Sequence, residues 1–201
     1  MPPAQARLLD HPDRLRWNSR YGGGFVASFT AHPLAVRALS LPLPAGPVLD
    51  LASGPSGSAL ATAATGRAVT AVDCSDVALG LLADEAARRG LAELITLVHA
   101  DLAAWRPEPG RYALVLGTGY WDRAVFAGAV AGVAAGGLLA WEAFTAAARR
   151  ARPGMPAAWC LEAGEPATLL PPGFEVLDQR DQPESPDGDA GAKRIMLARA
   201  R

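Results

Sequence analysis

Lysine, cysteine and histidine are scarce in this 201-residue chain, which holds one lysine (Lys193) against 18 arginines, two cysteines and three histidines. Two cysteines cannot build a disulfide framework and suit a reducing compartment. Without a CxxC pair or a Cys/His cluster, we predict no metal site. The apolar runs are too short to cross a membrane, and the N-terminus lacks the apolar core of a signal peptide. We therefore expect a cytoplasmic protein with no membrane partner.

An excess of charge of one sign is also missing. The net charge is −1, with 19 basic and 20 acidic residues, whereas a general nucleic-acid-binding protein presents a basic face. We therefore expect no nucleic-acid partner. The length and the 50% of hydrophobic residues are typical of one globular domain. The sequence leaves the oligomeric state open.

Short apolar stretches alternate with helical patterns from Val48 onwards. Strands are predicted at 48–52, 68–72, 94–98, 112–117, 138–144, 174–180 and 194–200. Helices are predicted at 33–41, 58–65, 76–89 and 120–133, a polar loop at 183–191, and the start of the arm 1–40 shows no regular pattern. This alternation predicts an α/β fold with a doubly wound, mostly parallel sheet and helices on both faces.

Ligands of such a sheet bind at the carboxyl ends of its strands. The first strand is followed by a turn of small residues, Gly54-Pro55-Ser56-Gly57, which opens a helix with free N–H groups. Asp73 ends the second strand, where an acid can accept both hydroxyls of a ribose. Asp101 follows the third strand, where an acid can accept a hydrogen bond from an adenine amino group. Each feature alone is also typical of a tight turn or a helix cap, but together they indicate a nucleoside-sized ligand.

A dinucleotide is the competing ligand. A nicotinamide cofactor would require GxGxxG and a second mononucleotide-binding half. The turn here has GPSG, and the chain finishes with two strands arranged as a hairpin. The smaller ligand is therefore favoured over an NAD-dependent dehydrogenase.

Five blocks of the sequence, in this order, resemble the class I S-adenosylmethionine-dependent methyltransferases: VLDLASGPSG, AVTAVDCSDVAL, HADL, YALVLGTG and VAAGGLLAWEAF. The first block is similar to the glycine-rich motif of that family, D-x-G-x-G-x-G. Asp50, Gly54 and Gly57 fit the motif, while Ala52 and Ser56 stand where glycines are common.

The flanks are similar to small tellurite-resistance-type methyltransferases. Residues 16–21 (RWNSRY) resemble the W-x-x-R-Y opening of that group. Residues 162–176 are similar to its C-terminal pattern of an acidic helix followed by a strand. The resemblance implies a seven-stranded sheet whose last strand is antiparallel, a lid within 1–40, a cofactor-binding core at 45–145 and a substrate-side segment with the C-terminal hairpin at 146–201.

The resemblance also implies S-adenosylmethionine as the cofactor. Asp73 would bind the ribose, and Asp101 would bind the adenine end. Gly54 would contact the methionine backbone, and the strand-end residue Thr118 would lie beside the sulfonium. The full set of implied cofactor-binding residues is Trp17, Tyr21, Asp50, Ala52, Ser53, Gly54, Asp73, Cys74, Asp101, Leu102, Gly117 and Thr118.

Methyl transfer is an in-line displacement at a carbon activated by a sulfonium, so alignment and exclusion of water matter most. No catalytic base is predicted from the histidines His11, His32 and His99, the last of which we expect at the end of a buried strand. Tyr120 and Trp121 are candidate catalytic residues, because an aromatic face can contact the sulfonium or an apolar substrate. Packing of the following helix is the alternative role for both rings.

No NPPY-type signature follows the fourth strand, which argues against amino groups of nucleobases or glutamine as acceptors. Arg149, Arg150 and Arg152 follow the fifth strand, where they either attract an anion or form a solvated loop. We predict a methyltransferase acting on a small-molecule acceptor. The alternative is a non-catalytic protein of the same fold that binds S-adenosylmethionine or S-adenosylhomocysteine.

Overall fold

A computed structural model describes residues 8–182 and 192–201, so the predicted loop at 183–191 lies outside the described residues. One sheet contains seven strands in the order β3-β2-β1-β4-β5-β7-β6. In chain order they are β1 (Val48–Leu51), β2 (Val69–Asp73), β3 (Ile95–His99), β4 (Tyr112–Thr118), β5 (Val133–Phe144), β6 (Phe174–Gln182) and β7 (Lys193–Ala200). Strands β1 to β5 pair in parallel, and β7 runs antiparallel to both of its neighbours. The predicted mostly parallel sheet with an antiparallel C-terminal strand is confirmed.

Six α-helices that lie wholly within the described residues accompany the sheet: α1 (Pro12–Gly22), α2 (Pro33–Leu39), α3 (Gly57–Ala64), α4 (Asp76–Arg88), α5 (Arg123–Gly132) and α6 (Ala148–Ala151). Alternate residues of the central strands face opposite layers. Leu114 and Leu116 pack with α2, whereas Val115 packs with the layer that contains α5. Burial on both faces explains why the central strands are continuously apolar in sequence.

The N-terminal arm contains a helix that the sequence pattern did not predict. Helix α1 begins with a proline at its first position and has Asp13 in its first turn and Arg20 in its last, which suits the helix dipole. It fully buries none of its residues. The expectation of an irregular start to the arm is therefore wrong.

The segment after β4 also differs from its prediction. The helix predicted at 120–133 begins only at Arg123, because Gly119 adopts a φ of 79° and Asp122 caps the helix. The Asp122 carboxylate accepts a hydrogen bond from the N–H of Val125 at 2.9 Å. Tyr120 and Trp121 therefore lie in the turn between β4 and α5. Strand β5 begins at Val133 rather than at 138. Its first residues pair irregularly with β4.

Two smaller expectations are corrected at the sheet edge and after β5. His99 ends β3, which is an edge strand, and its side chain is about one-third exposed. The segment expected as an acidic helix at 162–165 forms a turn. There Glu165 is buried and receives two hydrogen bonds from Arg123, at 2.7 and 3.0 Å.

Within the residues that the structure describes, no helix is long and apolar enough to span a membrane, and no three potential metal ligands are grouped together.

Candidate functional site

A cavity of about 710 Å³ lies at the carboxyl edge of the sheet, against helix α1. Its volume is within the range of small-molecule sites. Predicted residues in its lining are Trp17, Tyr21, Ala52, Asp73, Cys74, Asp101, Leu102, Thr118 and Tyr120. Arg152, named above as one of three possible anion-binding residues, also lines it. Sequence reasoning did not assign the remaining lining residues: His11, Asp13, Arg20, Phe25, Gly119, Phe144 and Lys193.

Asp73 connects the turns that follow β1 and β2. Its two carboxylate oxygens accept hydrogen bonds from the backbone N–H groups of Gly54 and Ser75, each at 2.8 Å. Burial raises the pKa of Asp73, and these two N–H groups oppose the rise. Because each carboxylate oxygen has two lone pairs, acceptor capacity remains on the side that lines the cavity. A ribose hydroxyl is a suitable donor for it.

The neighbouring turns provide further predicted residues. Asp101 accepts a hydrogen bond from the N–H of Ala103 at 2.9 Å, and its other oxygen lies 3.9 Å from Nε2 of His11. Burial and the nearby charge of Asp73 raise the pKa of Cys74 to about 12, so its thiol is neutral at physiological pH. A neutral thiol offers a small apolar surface, which suits a position beside an adenine ring.

Four of the predicted cofactor residues do not line the cavity: Asp50, Ser53, Gly54 and Gly117. Gly54 has a φ of 57° and supplies the N–H held by Asp73. A Cβ at Gly117 would lie 2.6 Å from the ring of Trp141, so packing alone requires glycine there. The Ser53 N–H donates to the carbonyl of Val72 at 3.2 Å. Their roles toward a cofactor stay predictions.

The two departures from the glycine-rich motif are accommodated locally. Ala52 adopts a φ of 50°, the left-handed conformation that a glycine would adopt more readily. Ser56 is the N-cap of α3, where its hydroxyl accepts from the N–H of Ala59 at 2.9 Å and donates to Asp50 at 2.6 Å. The Ser56 side chain is therefore turned into the protein and away from the cavity lining.

Helix α1 and the residues just after it form an aromatic cover for the cavity. Trp17 and Tyr21 stack with ring centroids 5.8 Å apart, and Phe25 meets Tyr21 edge-on at 5.1 Å. The Tyr21 hydroxyl comes within 3.0 Å of the position that a Cβ of Gly54 would occupy. Burial raises the pKa of Tyr21 to about 12, so the phenol stays protonated.

Polar contacts fasten α1 to the start of α4. Arg14 donates to Asp76 at 2.7 and 3.0 Å. Asn18 donates to Asp76 at 2.7 Å and accepts a hydrogen bond from the Ser75 hydroxyl at 2.6 Å. The hydrogen bond from Arg14 is the main cause that lowers the pKa of Asp76 to about 2. The backbone N–H of Ser75 is also held by Asp73, so one short turn positions both the cover and the acid.

The two candidate catalytic residues have different surroundings. Tyr120 lines the cavity, and burial raises the pKa of its phenol. Trp121 is 4% exposed and packs against Phe126 and Trp141, with ring centroids 5.3 and 6.4 Å away. Tyr120 thus remains a candidate for contact with substrate, whereas the position of Trp121 favours the packing role.

Comparisons with known proteins identify a methyltransferase domain in the chain. A model of a methyltransferase domain matches residues 48–137, which contain both motif turns and β1 to β4. The chain carries a methyltransferase domain. The cofactor of such a domain is S-adenosylmethionine, and the predicted enzyme class and cofactor are thereby confirmed. No curated protein sequence matches the chain at a significant level.

Solved structures share the fold of this methyltransferase at low sequence identity. An S-adenosylmethionine-dependent methyltransferase from Geobacter sulfurreducens, in complex with S-adenosylhomocysteine, has a TM-score of 0.67 and 15% identity, over 96% of this chain and 100% of that one. TehB from Haemophilus influenzae has a TM-score of 0.66 and 15% identity, over 92% of this chain and 67% of that one. The [4+2]-cyclase SpnF has a TM-score of 0.65 and 16% identity, over 98% and 94%.

The buried carboxyl of Asp50 should make the stability of the protein depend on pH. Burial raises its pKa from 3.8 to about 6, despite the hydrogen bond from Ser56. A carboxyl whose folded pKa lies above its unfolded pKa binds protons more tightly in the folded state, so stability falls as pH rises between these values. We expect the stability of Asp50→Asn relative to wild type to rise by about 2–3 kcal/mol between pH 4 and 7. Urea unfolding without cofactor measures this difference.

The control for that experiment is Ser19→Ala, an exposed substitution on α1 that removes no titratable group. Its stability relative to wild type should not change over the same pH range. A flat difference for Asp50→Asn as well would contradict the assignment of a raised pKa to Asp50.

Asn18 generates a prediction about the cover. Because Asn18 bonds both Ser75 and Asp76, Asn18→Ala should weaken S-adenosylhomocysteine binding by about 1 kcal/mol and accelerate its release. Stopped-flow tryptophan fluorescence measures the rates of association and release, and their ratio gives the affinity. The matched control is Ser19→Ala, an exposed position on the same helix. Equal release rates for the two variants would show that these contacts do not hold the ligand in place.

Proposed function

We propose that this methyltransferase transfers the methyl group of S-adenosylmethionine to a small molecule bound in the same cavity. The observation that carries the proposal is the cover formed by α1. The helix is bonded to α4, and its aromatic residues Trp17 and Tyr21 line a cavity of about 710 Å³. An acceptor that must fit under this cover is favoured to be a small molecule, and the net charge of −1 gives no reason to expect a nucleic acid.

The strand order supports one orientation of the cofactor. Asp73 and Asp101 stand at the ends of β2 and β3, whereas Thr118 and Phe144 stand at the ends of β4 and β5. Neighbouring strands are about 4.8 Å apart, so the ends of β2 and β5 are separated by roughly 14 Å. In our proposal the adenosine lies toward Asp73 and Asp101, and the methyl group points toward Thr118, Tyr120 and Phe144.

The proposed contribution of the chain to catalysis is alignment and exclusion of water. When bound, S-adenosylmethionine supplies a methyl group activated by a sulfonium. The raised pKa of Tyr120 keeps its phenol protonated, so it serves as a hydrogen-bond donor or an aromatic wall rather than as a base. The raised pKa of Cys74 likewise keeps its thiol neutral. An acceptor that carries its own lone pair, such as a thiolate or an amine, suits this arrangement.

A non-catalytic binding protein remains the second candidate. Ala52 and Ser56 permit this alternative, because they stand where motif glycines are common. The local geometry weakens that argument, since Ala52 takes the conformation of a glycine and Ser56 caps α3. The likeness to a [4+2]-cyclase is one of fold alone and favours neither candidate.

We also propose that residues 1–201 form a single domain, with an N-terminal arm or lid at 1–40, a cofactor-binding core at 45–145, and a substrate-side segment with the C-terminal hairpin at 146–201. The positions of α1 against the cavity and of β7 beside β5 support it. The expected cytoplasmic location stays a proposal too, supported by two free cysteines, Cys74 and Cys160.

Calorimetry tests the cofactor site. Wild-type protein should bind S-adenosylhomocysteine and should not bind NAD. Asp73→Ala should weaken that binding by about 1.5–3 kcal/mol, the scale for a hydrogen bond to a charged group. Asp101→Ala should weaken it less, because its side chain is about one-third exposed. Asp84→Ala, on the outside of α4, is the matched control and should bind like wild type.

Unchanged affinity in Asp73→Ala would remove Asp73 from the site. Thermal unfolding of each variant without ligand separates loss of folding from loss of binding. Release of S-adenosylhomocysteine from S-adenosylmethionine, measured across a panel of small acceptors, then distinguishes the enzyme from the non-catalytic candidate. Preferential methylation of RNA or DNA would contradict the proposed acceptor class.

A further inference from the structure

The single lysine of the chain lies at the acceptor end of the cavity. Lys193 is the first residue of β7 and pairs in register with Phe144, the last residue of β5. Because β7 runs antiparallel to β5, its first residue reaches the carboxyl edge of the parallel strands. Both Lys193 and Phe144 line the cavity. The other 18 basic side chains, apart from histidine, are all arginines.

A buried carboxylate fixes the position of this ammonium. Glu142 is 2% exposed, and its Oε1 accepts a hydrogen bond from Nζ of Lys193 at 2.7 Å. Its Oε2 lies 3.1 Å from Nε2 of His32. The Nδ1 of His32 accepts the N–H of Leu34 at 3.2 Å, which leaves Nε2 to carry a proton toward the glutamate. Both oxygens of Glu142 are therefore occupied, and Glu142 is not part of the cavity lining.

Lys193 keeps donors for a ligand. An ammonium has three N–H donors, Glu142 accepts one of them, and the lysine side chain is 24% exposed. A buried ion pair is weak evidence for stability alone, because an apolar pair of similar volume often stabilises a fold as well or better. The pairing of Lys193 with Glu142 instead pre-orients a positive group at the cavity wall.

A second cation, Arg152, lies near the ring of Phe144, as Lys193 does. The guanidinium carbon of Arg152 lies 4.9 Å from the ring centroid of Phe144, and Nζ of Lys193 lies 5.3 Å from it. Both cations line the cavity, whereas Asp73 and Asp101 follow β2 and β3, at the opposite end of the strand order. Helix α1 adds one charge of each sign to the lining, Asp13 and Arg20. The charge along the sheet edge is therefore divided, negative toward the proposed adenosine and positive toward the proposed acceptor.

We propose that the methyl acceptor carries an oxyanion, a carboxylate or a phosphate, and that Lys193 binds this group beside Arg152 and Phe144. This inference rests on the proposed function, because it names the substrate class of the same cavity. Glu142 and His32 hold the ammonium in place, and the Phe144 ring supports the uncharged part of the acceptor. Lys193 is a specificity-determining residue in this scheme, since a neutral analogue leaves its free donors without a partner.

The test uses protein saturated with S-adenosylhomocysteine, whose own binding is measured first. Benzoate, phenyl phosphate and the neutral analogue benzamide are then titrated by calorimetry. At least one of the two anions should bind about tenfold or more tightly than benzamide. Which of the two binds more tightly distinguishes a carboxylate acceptor from a phosphate acceptor.

Lys193→Met should weaken binding of the preferred anion by about tenfold and leave binding of benzamide and S-adenosylhomocysteine unchanged. The matched control is Arg150→Met, which removes one positive charge from an exposed position outside the cavity lining. It should retain wild-type affinity for the anion, because the effect is expected from contact and not from net charge.

Equal affinity for benzamide and both anions, or absence of anion binding, would overturn the inference. So would unchanged anion affinity in Lys193→Met, or an equal loss in Arg150→Met. A wild-type protein that fails to bind S-adenosylhomocysteine would instead remove the proposed function, and this inference with it. If Lys193→Met does not fold, competition between methyl acceptors and their methyl esters in the wild-type enzyme decides the question, with the free acids expected to be the better substrates.

Discussion

A buried carboxylate held between two backbone N–H groups organises this end of the protein. Asp73 accepts from Gly54 on the turn after β1 and from Ser75 on the turn after β2. The same turn at Ser75 receives Asn18 of α1 and thereby fixes the cover of the cavity. The positive φ of Gly54, the cap of α4 and the position of α1 are thus coupled through one side chain. Burial makes such a charge costly, and its two backbone hydrogen bonds offset that cost.

The order of the strands determines which chemical groups lie where along the cavity. Acids follow β2 and β3, small residues and Tyr120 follow β1 and β4, and an aromatic ring with two cations stands where β5 meets β7. The reversal of β7 matters here, because only an antiparallel strand brings its first residue to this edge. A cofactor bound with adenosine at the acidic end would present its reactive group toward the basic end. Cofactor recognition and acceptor recognition then occupy separate parts of one cavity.

The core of the fold and the acid that ends β2 beside the cavity could be predicted from sequence, because both depend on local patterns. Continuous apolar strands, a turn of small residues and Asp73 at a strand end are visible within short windows of the chain. Helix α1 escaped prediction because none of its residues is fully buried, and polar contacts to α4 hold it in place. Tyr120 and Trp121 are adjacent in sequence, yet one lines the cavity and the other enters the core, since a cap at Asp122 turns the chain between them and α5.

Lys193 escaped prediction for a different physical reason. Its partner Glu142 lies 51 residues away in sequence, and only the pairing of β5 with β7 brings the lysine to the cavity. His32, which contacts the other oxygen of Glu142, comes from a third part of the chain. The rarity of lysine in an arginine-rich chain is the one sequence signal that marks Lys193. Only the strand topology shows that this lysine lies at the cavity.

A crystal structure of the protein with S-adenosylhomocysteine tests the central claim most directly. Our account expects the ribose hydroxyls within hydrogen-bonding distance of the Asp73 carboxylate, about 2.7 Å, with the adenine toward Asp101 and the sulfur toward Tyr120 and Phe144. Helix α1 should cover the ligand, with Trp17 and Tyr21 in contact with it. A ligand bound in the reverse orientation, or one that does not contact Asp73, would contradict the account.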